Sequence, residues 1–261
     1  MSTMAEMTGP DARRMRRFFE IFERMPRGGP GDPGSTSRAL GLMPDLPADP
    51  RVVDLGCGPG RGSVELARLT GGRVATLDLH APFVVQQAEA ARAAGLSHRL
   101  DPVCADMRGA PFAAGVFDLV WSEGALYSIG FRNGLELCAR LVTPGGYVAA
   151  SEVVWTVAEP PDEVRRWWHA EYPDIAPIAE KAAVVTGAGL QIIDHFTLPR
   201  EAWTRYFYEP MKARLEECRR AWSGDAVGLG VIAELDVEID MYERYSHIQG
   251  YEFFVARRPL S

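Results

Sequence analysis

The chain has 261 residues, 47% of them apolar and 24% charged, and 28 Lys and Arg against 35 Asp and Glu give a formal net charge of −7. That balance suits one globular domain with a full core, and it argues against a disordered tail, a disulfide-stapled miniprotein and a chain that grips long nucleic acids through a basic face. No apolar run is long enough for a bilayer, the N-terminus lacks a secretory stretch, and Cys57, Cys104, Cys138 and Cys218 show no disulfide or metal-ligand spacing, so the expectation is a soluble cytoplasmic protein with reduced thiols, no metal, no nucleic acid and no membrane partner.

The chain opens with helical spacing over residues 11–25, where Met15, Phe18, Phe19, Phe22 and Met25 recur and Arg13, Arg14, Arg16 and Arg17 supply a solvated face. A Pro- and Gly-rich stretch, 26–50, follows; it reads as a flap outside the core with a short helix at 37–42. From residue 51 short apolar runs alternate with helical patterns. The strands fall at 51–55, 73–79, 100–104, 117–121 and 146–152, with helices at 62–69, 82–94 and 132–141 between them. Strand and helix at this spacing imply right-handed crossovers and a doubly wound, mostly parallel α/β sheet covered on both faces. Beyond residue 152 helices are expected at 162–171 and 175–187, a strand at 191–198, a helical block at 200–249 with Val231, Leu235, Ile239 and Tyr242 on one face, and a last strand at 251–256 that joins the same sheet. The reading is thus one domain over residues 1–261 with a seven-stranded sheet. Residues 1–50 form an N-terminal helix and flap, 51–198 and 250–258 the α/β core, and 199–249 a helical insertion that caps it.

The first strand runs through Val52, Val53, Asp54 and Leu55 into Gly56, Cys57, Gly58, Pro59 and Gly60 before a helix. Glycines there let the backbone turn tightly and approach a ligand, and the helix N-terminus behind presents free N–H groups. A nicotinamide-binding turn needs GxGxxG, but the sixth position is Arg61 and Pro59 stiffens the turn. Asp78 ends the second strand, where a carboxylate can accept both hydroxyls of a ribose. Asp106 follows the third, where it can accept an amino proton of adenine while Met107 packs on the ring. Structural alternatives exist for two of these acids: Asp54 can cap loop N–H groups, and Asp106 can be a helix N-cap.

With VVDLGCGPG, TLDL, CADM, FDLVWSEGAL and LVTPGGYVAASE in that order, residues 51–152 resemble the class I S-adenosylmethionine-dependent methyltransferases. The resemblance implies a Rossmann-like methyltransferase fold and S-adenosyl-L-methionine as cofactor, with S-adenosyl-L-homocysteine as product. Asp54, Gly56, Gly58 and Gly60 would hold the methionine part, Asp78 with Leu79 the ribose side, and Asp106 and Met107 the adenine; Glu123, after the fourth strand, can serve as a base or bind backbone N–H groups or the cofactor's amino group. WSEGALYSIGF, EYPDI and HFTLP also look like the ubiquinone/menaquinone-biosynthesis group of small-molecule methyltransferases.

Every Trp and Tyr lies beyond residue 120, away from the cofactor motifs. Tyr127 follows the fourth strand, and Trp155, Trp168, Tyr172, Trp203 and Tyr206 fall in segments that can roof the crevice beyond the strand ends; these, with Glu152, are the expected acceptor-binding residues. Methyl transfer is an in-line displacement that rests on positioning and exclusion of water, with a base needed only for a hydroxyl or an acidic carbon. The base candidates are Glu123, Glu152, His169 and His195, of which Glu123 and His169 are the expected catalytic residues. The expected function is methyl transfer to O, N or C of a small, partly apolar or aromatic acceptor. The alternatives are a non-catalytic protein that binds the cofactor as a sensor or scaffold, or an RNA methyltransferase, against which the acidic balance argues. Acceptor identity and oligomeric state are not legible.

Overall fold

The computed structural model describes residues 10–59 and 61–260. In chain order the elements are α1 (Pro10–Phe22), α2 (Pro33–Gly41), β1 (Arg51–Leu55), α3 (Arg61–Thr70), β2 (Arg73–Asp78), α4 (Ala81–Ala93), β3 (Leu100–Cys104), β4 (Phe117–Glu123), α5 (Phe131–Leu141), β5 (Val142–Trp155), α6 (Asp162–Glu171), the two-residue β6 (Ala176–Pro177), α7 (Ile178–Gly187), β7 (Gln191–Thr197), α8 (Arg200–Trp203), α9 (Glu209–Ala221), α10 (Ala226–Tyr245) and β8 (Gln249–Arg257). The strands form a single sheet in the order β3-β2-β1-β4-β5-β8-β7, with β6 attached to β5 as an eighth strand. Pairing is parallel from β3 to β5, while β8 runs antiparallel between β5 and β7.

Successive residues of each strand serve opposite faces, which is why the central strands read as continuous apolar runs. Val52, Val74, Leu119, Trp121 and Phe253 pack with α1, α3, α9 and α10 on one face; Val53, Leu77, Val120, Val148 and Phe254 pack with α5 and α7 on the other. Trp121 and Phe253 are almost wholly buried and meet edge to face at 5.2 Å. Side chains of this size each contribute about 1.5–3 kcal/mol through burial.

Two readings of local structure need correction. The stretch after α1 is not outside the core, because Pro30, Asp32, Ser35, Thr36, Ala39 and Met43 are buried. Asp32 caps α2 by accepting from the Ser35 N–H at 3.0 Å, with Pro33 in the first turn, so the helix starts earlier than its apolar residues indicate. The fifth strand runs from Val142 to Trp155, longer at both ends than expected, because Val142 pairs with Phe117 of β4 at its start while β8 and β6 pair with it out to Trp155 at its end.

Strand order reverses between β1 and β4, because the chain proceeds from β1 to β2 and β3 on one side and then returns to place β4 on the other. The carboxyl ends of these strands therefore border a crevice, the place where open α/β sheets bind ligands. Helix α1 lies over that crevice and is tied to α10 by Arg13 and Arg17 on Asp225, at 2.9 and 2.6 Å, and by Arg14 on Glu234. None of the described helices is long and apolar enough to cross a membrane.

Candidate active site

The crevice opens into a cleft of about 870 Å³. At its floor the chain leaves β1 through Gly56 and Gly58, whose φ angles are +71° and +58°. A Cβ on Gly56 would collide with the Ala125 Cβ and come within 3.2 Å of the Met107 Cε, so only glycine lets the loop lie this close to the turn after β4. Gly60, the third expected glycine, lies outside the described residues.

Asp54, Asp78 and Glu123, at the ends of β1, β2 and β4, line this one cleft. Asp54 is buried and accepts a hydrogen bond from the Ser63 hydroxyl at 2.5 Å; burial, more than that bond offsets, pushes its carboxyl up to about 7. Its partner is thus a side chain on α3 rather than the loop N–H groups. Asp78 accepts from the Gly58 N–H at 2.9 Å through one oxygen and from the His80 N–H at 2.8 Å through the other. Burial raises its pKa as well, and the backbone N–H groups of His80, Gly58 and Leu79 act against that rise. Each oxygen keeps a lone pair for a further donor.

Leu79, exposed, and Met107, buried, also line the cleft. Asp106 lines it too, but its carboxylate is already engaged: it accepts from the Arg108 N–H at 2.9 Å as the cap of a single helical turn and pairs with the Arg108 guanidinium at 2.7 Å, which holds its pKa below the usual carboxylate range. The N-cap alternative therefore describes its present contacts. Glu123 is held at both oxygens, by the Trp121 indole N–H at 3.0 Å and the Arg27 guanidinium at 3.3 Å.

The other half of the cleft is aromatic. Tyr127 meets Tyr172 edge to face at 5.9 Å, Trp167 meets Trp168 at 5.0 Å, and Trp203 packs on Tyr251 at 4.9 Å; all six rings line the cleft. Tyr172 is fixed from behind, since its hydroxyl donates to Glu152 and accepts from Lys181 at 3.0 Å. Trp168 donates its indole N–H to Gln249, while the buried Trp203 indole N–H has no hydrogen-bond partner among the described residues.

Several expected residues fall elsewhere. Glu152 does not line the cleft; it is buried behind Tyr172 and paired with Lys181 at 3.1 Å, with burial raising its pKa against that cation. Trp155 belongs to the buried cluster of Val153, Val164, Ile175, Met241 and Ile248, because β5 continues through it instead of ending in a roofing loop. Tyr206 sits in a π turn, residues 204–208, whose wider winding gives the cleft Phe207 instead. His169 is exposed on α6 and does not line the cleft, so it has no access to reacting atoms there. His195 pairs with the buried Glu252 at 2.5 Å on β8, also away from the cleft.

Sequence reasoning missed Arg27, Trp167, Tyr251 and two acids of the upper wall, Glu171 and Glu238. Glu238, on α10, accepts from the Tyr208 hydroxyl at 3.0 Å, and burial pushes it up to about 7. It lies one residue before Ile239 and three after Leu235, beside the apolar stripe of its helix, and that position is the signal that could have found it.

Residues 52–146 match the family model described as a methyltransferase domain. Over 132 residues the chain is 36% identical to a malonyl-[acyl-carrier protein] O-methyltransferase of Enterobacter lignolyticus (strain SCF1), a match that covers 49% of each protein, so the chain spans about half the length of this curated relative. Among solved structures it resembles a SAM-dependent methyltransferase from Geobacter sulfurreducens in complex with S-adenosyl-L-homocysteine, with a TM-score of 0.79, 23% identity and coverage of 92% of this chain and 97% of that one. It also resembles the [4+2]-cyclase SpnF, with a TM-score of 0.74, 23% identity and coverage of 95% and 93%. At these identities the structural likenesses speak for the fold alone. The quinone-biosynthesis group stays a resemblance of short segments. Residues 52–146 thus match a methyltransferase domain, and the sheet that carries them has the fold of solved S-adenosylmethionine-dependent methyltransferases.

Proposed function

We propose that the protein transfers a methyl group from S-adenosyl-L-methionine to O, N or C of a small, partly apolar or aromatic acceptor by in-line displacement. The observation that carries the reading is the convergence of Asp54, Asp78 and Glu123 on one cleft beside a loop that only glycine can form. The residues fit the cofactor: glycine at 56 lets the loop pack against Ala125 and Met107 along the cleft floor, and the Asp78 carboxylate, held by backbone donors, lines that cleft as an acceptor for ribose hydroxyls. At about 870 Å³ the cleft lies near the top of the range of about 300–1,000 Å³ that single ligands occupy, which leaves room for an acceptor beside the cofactor.

When bound, the cofactor supplies an electrophilic methyl on a sulfonium. The protein's part is to orient and to exclude water. Asp78 would fix the ribose, Leu79 and Met107 the two faces of adenine, and Asp106 its amino group while remaining paired with Arg108. Asp54, whose pKa burial raises to about 7, suits the cofactor's positively charged methionine end. Glu123, braced by Trp121 and Arg27, is a rigid carboxylate at the end of β4, suited to positioning the donor and, for a hydroxyl acceptor, to taking its proton. The aromatic half would hold the acceptor and keep the site dry.

The O-methyltransferase relative supports methylation at oxygen as one outcome, and its name points to an acceptor carried on a protein. The likeness to a [4+2]-cyclase favours a second reading, in which the same cleft serves chemistry other than methyl transfer. Incubation with methyl-labelled S-adenosyl-L-methionine and a pool of small metabolites distinguishes them. Label passing to an acceptor, with S-adenosyl-L-homocysteine formed in equal amount, is expected. Cofactor binding without turnover across the pool would favour the second reading.

A further inference from the structure

The charges around the cleft select among acceptors. Seven carboxylates and three guanidiniums line it, and no lysine or histidine does so among the described residues. Each guanidinium already meets a carboxylate: Arg14 meets Glu234 at 2.5 Å, Arg27 meets Glu123 at 3.3 Å, and Arg108 meets Asp106 at 2.7 Å. An incoming carboxylate or phosphate would have to break one of these pairs and would leave a carboxylate without its cation, a cost that grows where water is excluded. Two acids lie outside the pairs on the acceptor side, Glu171 on α6 and Glu238 on α10. Among the described residues Glu238 has one hydrogen-bonding partner, the Tyr208 hydroxyl at 3.0 Å, and it shares the wall with the rings of Trp168, Tyr172 and Trp203.

We propose that the acceptor is an amine, docked as its ammonium against the Glu238 carboxylate inside this aromatic wall. This deepens the function proposed above and rests on it. Aromatic faces attract a cation through their quadrupole, and a carboxylate in a dry wall gains most from a positive partner. Burial pushes Glu238 up to about 7, Glu171 adds to the rise, and the Tyr208 hydroxyl, not a cation, acts against it. An ammonium would supply one. The docked nitrogen then gives one proton to Glu238 or to water, which frees the lone pair that a nucleophile needs. The inference separates this chain from the relative whose named acceptor is a malonyl group, since a free carboxylate on the acceptor would meet the acidic wall.

Three probes of nearly equal shape test it: 2-phenylethylamine, 2-phenylethanol and phenylacetate, titrated at pH 8 into the protein saturated with S-adenosyl-L-homocysteine and followed by tryptophan emission. The amine is expected to bind at least tenfold tighter than the alcohol, and phenylacetate weakest. Glu238→Gln should erase the preference for the amine while affinity for the alcohol and for S-adenosyl-L-homocysteine changes less than twofold. Equal binding of amine and alcohol, tighter binding of phenylacetate, a preference that survives in Glu238→Gln, or no binding of any probe would overturn the inference. The ranking in the unsubstituted protein needs no variant to fold. Failure of S-adenosyl-L-homocysteine to bind at all would instead strike the proposed function, so the two failures are distinguishable.

Discussion

Asp78 offers the sharpest perturbation of the cofactor end. Its two oxygens accept from the Gly58 and His80 N–H groups at 2.9 and 2.8 Å, which fixes the carboxylate at the carboxyl end of β2, where it lines the cleft. Two ribose hydroxyls would each make a hydrogen bond to a charged acceptor, worth about 1.5–3 kcal/mol apiece. Asp78→Ala therefore removes about 3 kcal/mol or more of cofactor binding, and with about 1.4 kcal/mol per decade this is a loss of roughly a hundredfold. Isothermal titration with S-adenosyl-L-homocysteine reads it directly, with circular dichroism as the check that the variant is folded. Asp78→Asn should also bind weakly, because its NH2 group would face one of the two backbone donors. A folded Asp78→Ala variant whose affinity stays within threefold of the parent would refute the ribose assignment.

Other expected outcomes follow from the same geometry. Gly56→Ala forces a side chain into positive φ and against Ala125 and Met107, so it should cost about 1–3 kcal/mol in urea unfolding and abolish measurable cofactor binding. Lys181→Ala strands the buried Glu152, and removal of one member of such a pair costs about 3–5 kcal/mol; the double replacement Lys181→Met with Glu152→Gln should recover most of it in the same unfolding measurement. Because burial raises Asp54 to about 7, its contribution to stability is fully present below the ordinary carboxylate pKa and is lost as pH rises from there through about 7; Asp54→Asn should flatten that part of the stability profile. Cofactor affinity should move the opposite way, weakening as pH falls below 7 because the ionised carboxylate suits the positively charged ligand, and Asp54→Asn should remove this dependence too. His169→Ala, on the exposed side of α6, should leave kcat and KM within twofold, whereas Glu123→Gln should lower kcat; a large effect of the histidine would show that α6 turns into the cleft during turnover.

The cofactor end was legible because its residues sit where backbone geometry leaves few choices. A strand has period two and a fixed end, so an acid placed after Val53 or Leu77 must emerge at the crevice, and Asp54 and Asp78 do so. The aromatic end is built on helices and long side chains, where a shift of one residue turns a ring away. Residues 204–208 wind as a π turn, which substitutes Phe207 for Tyr206 in a way no periodic pattern signals. Trp155 was misread for a nonlocal reason: β8, almost a hundred residues later, pairs with β5 out to Trp155 and keeps it in the strand. Arg27 is hidden by composition, since all but two of the basic residues are arginines and one more in a glycine-rich stretch carries no distinguishing mark. Only the fold of that stretch over the cleft brings it to Glu123.

The most direct test of the central claim is a crystal structure of the protein with S-adenosyl-L-homocysteine. The ribose hydroxyls are expected within hydrogen-bond distance of the Asp78 oxygens, about 2.6–3.2 Å, with the homocysteine sulfur directed toward Glu123 and the aromatic wall. A ligand bound with its ribose away from Asp78, or outside the crevice between β1 and β4, would contradict the account.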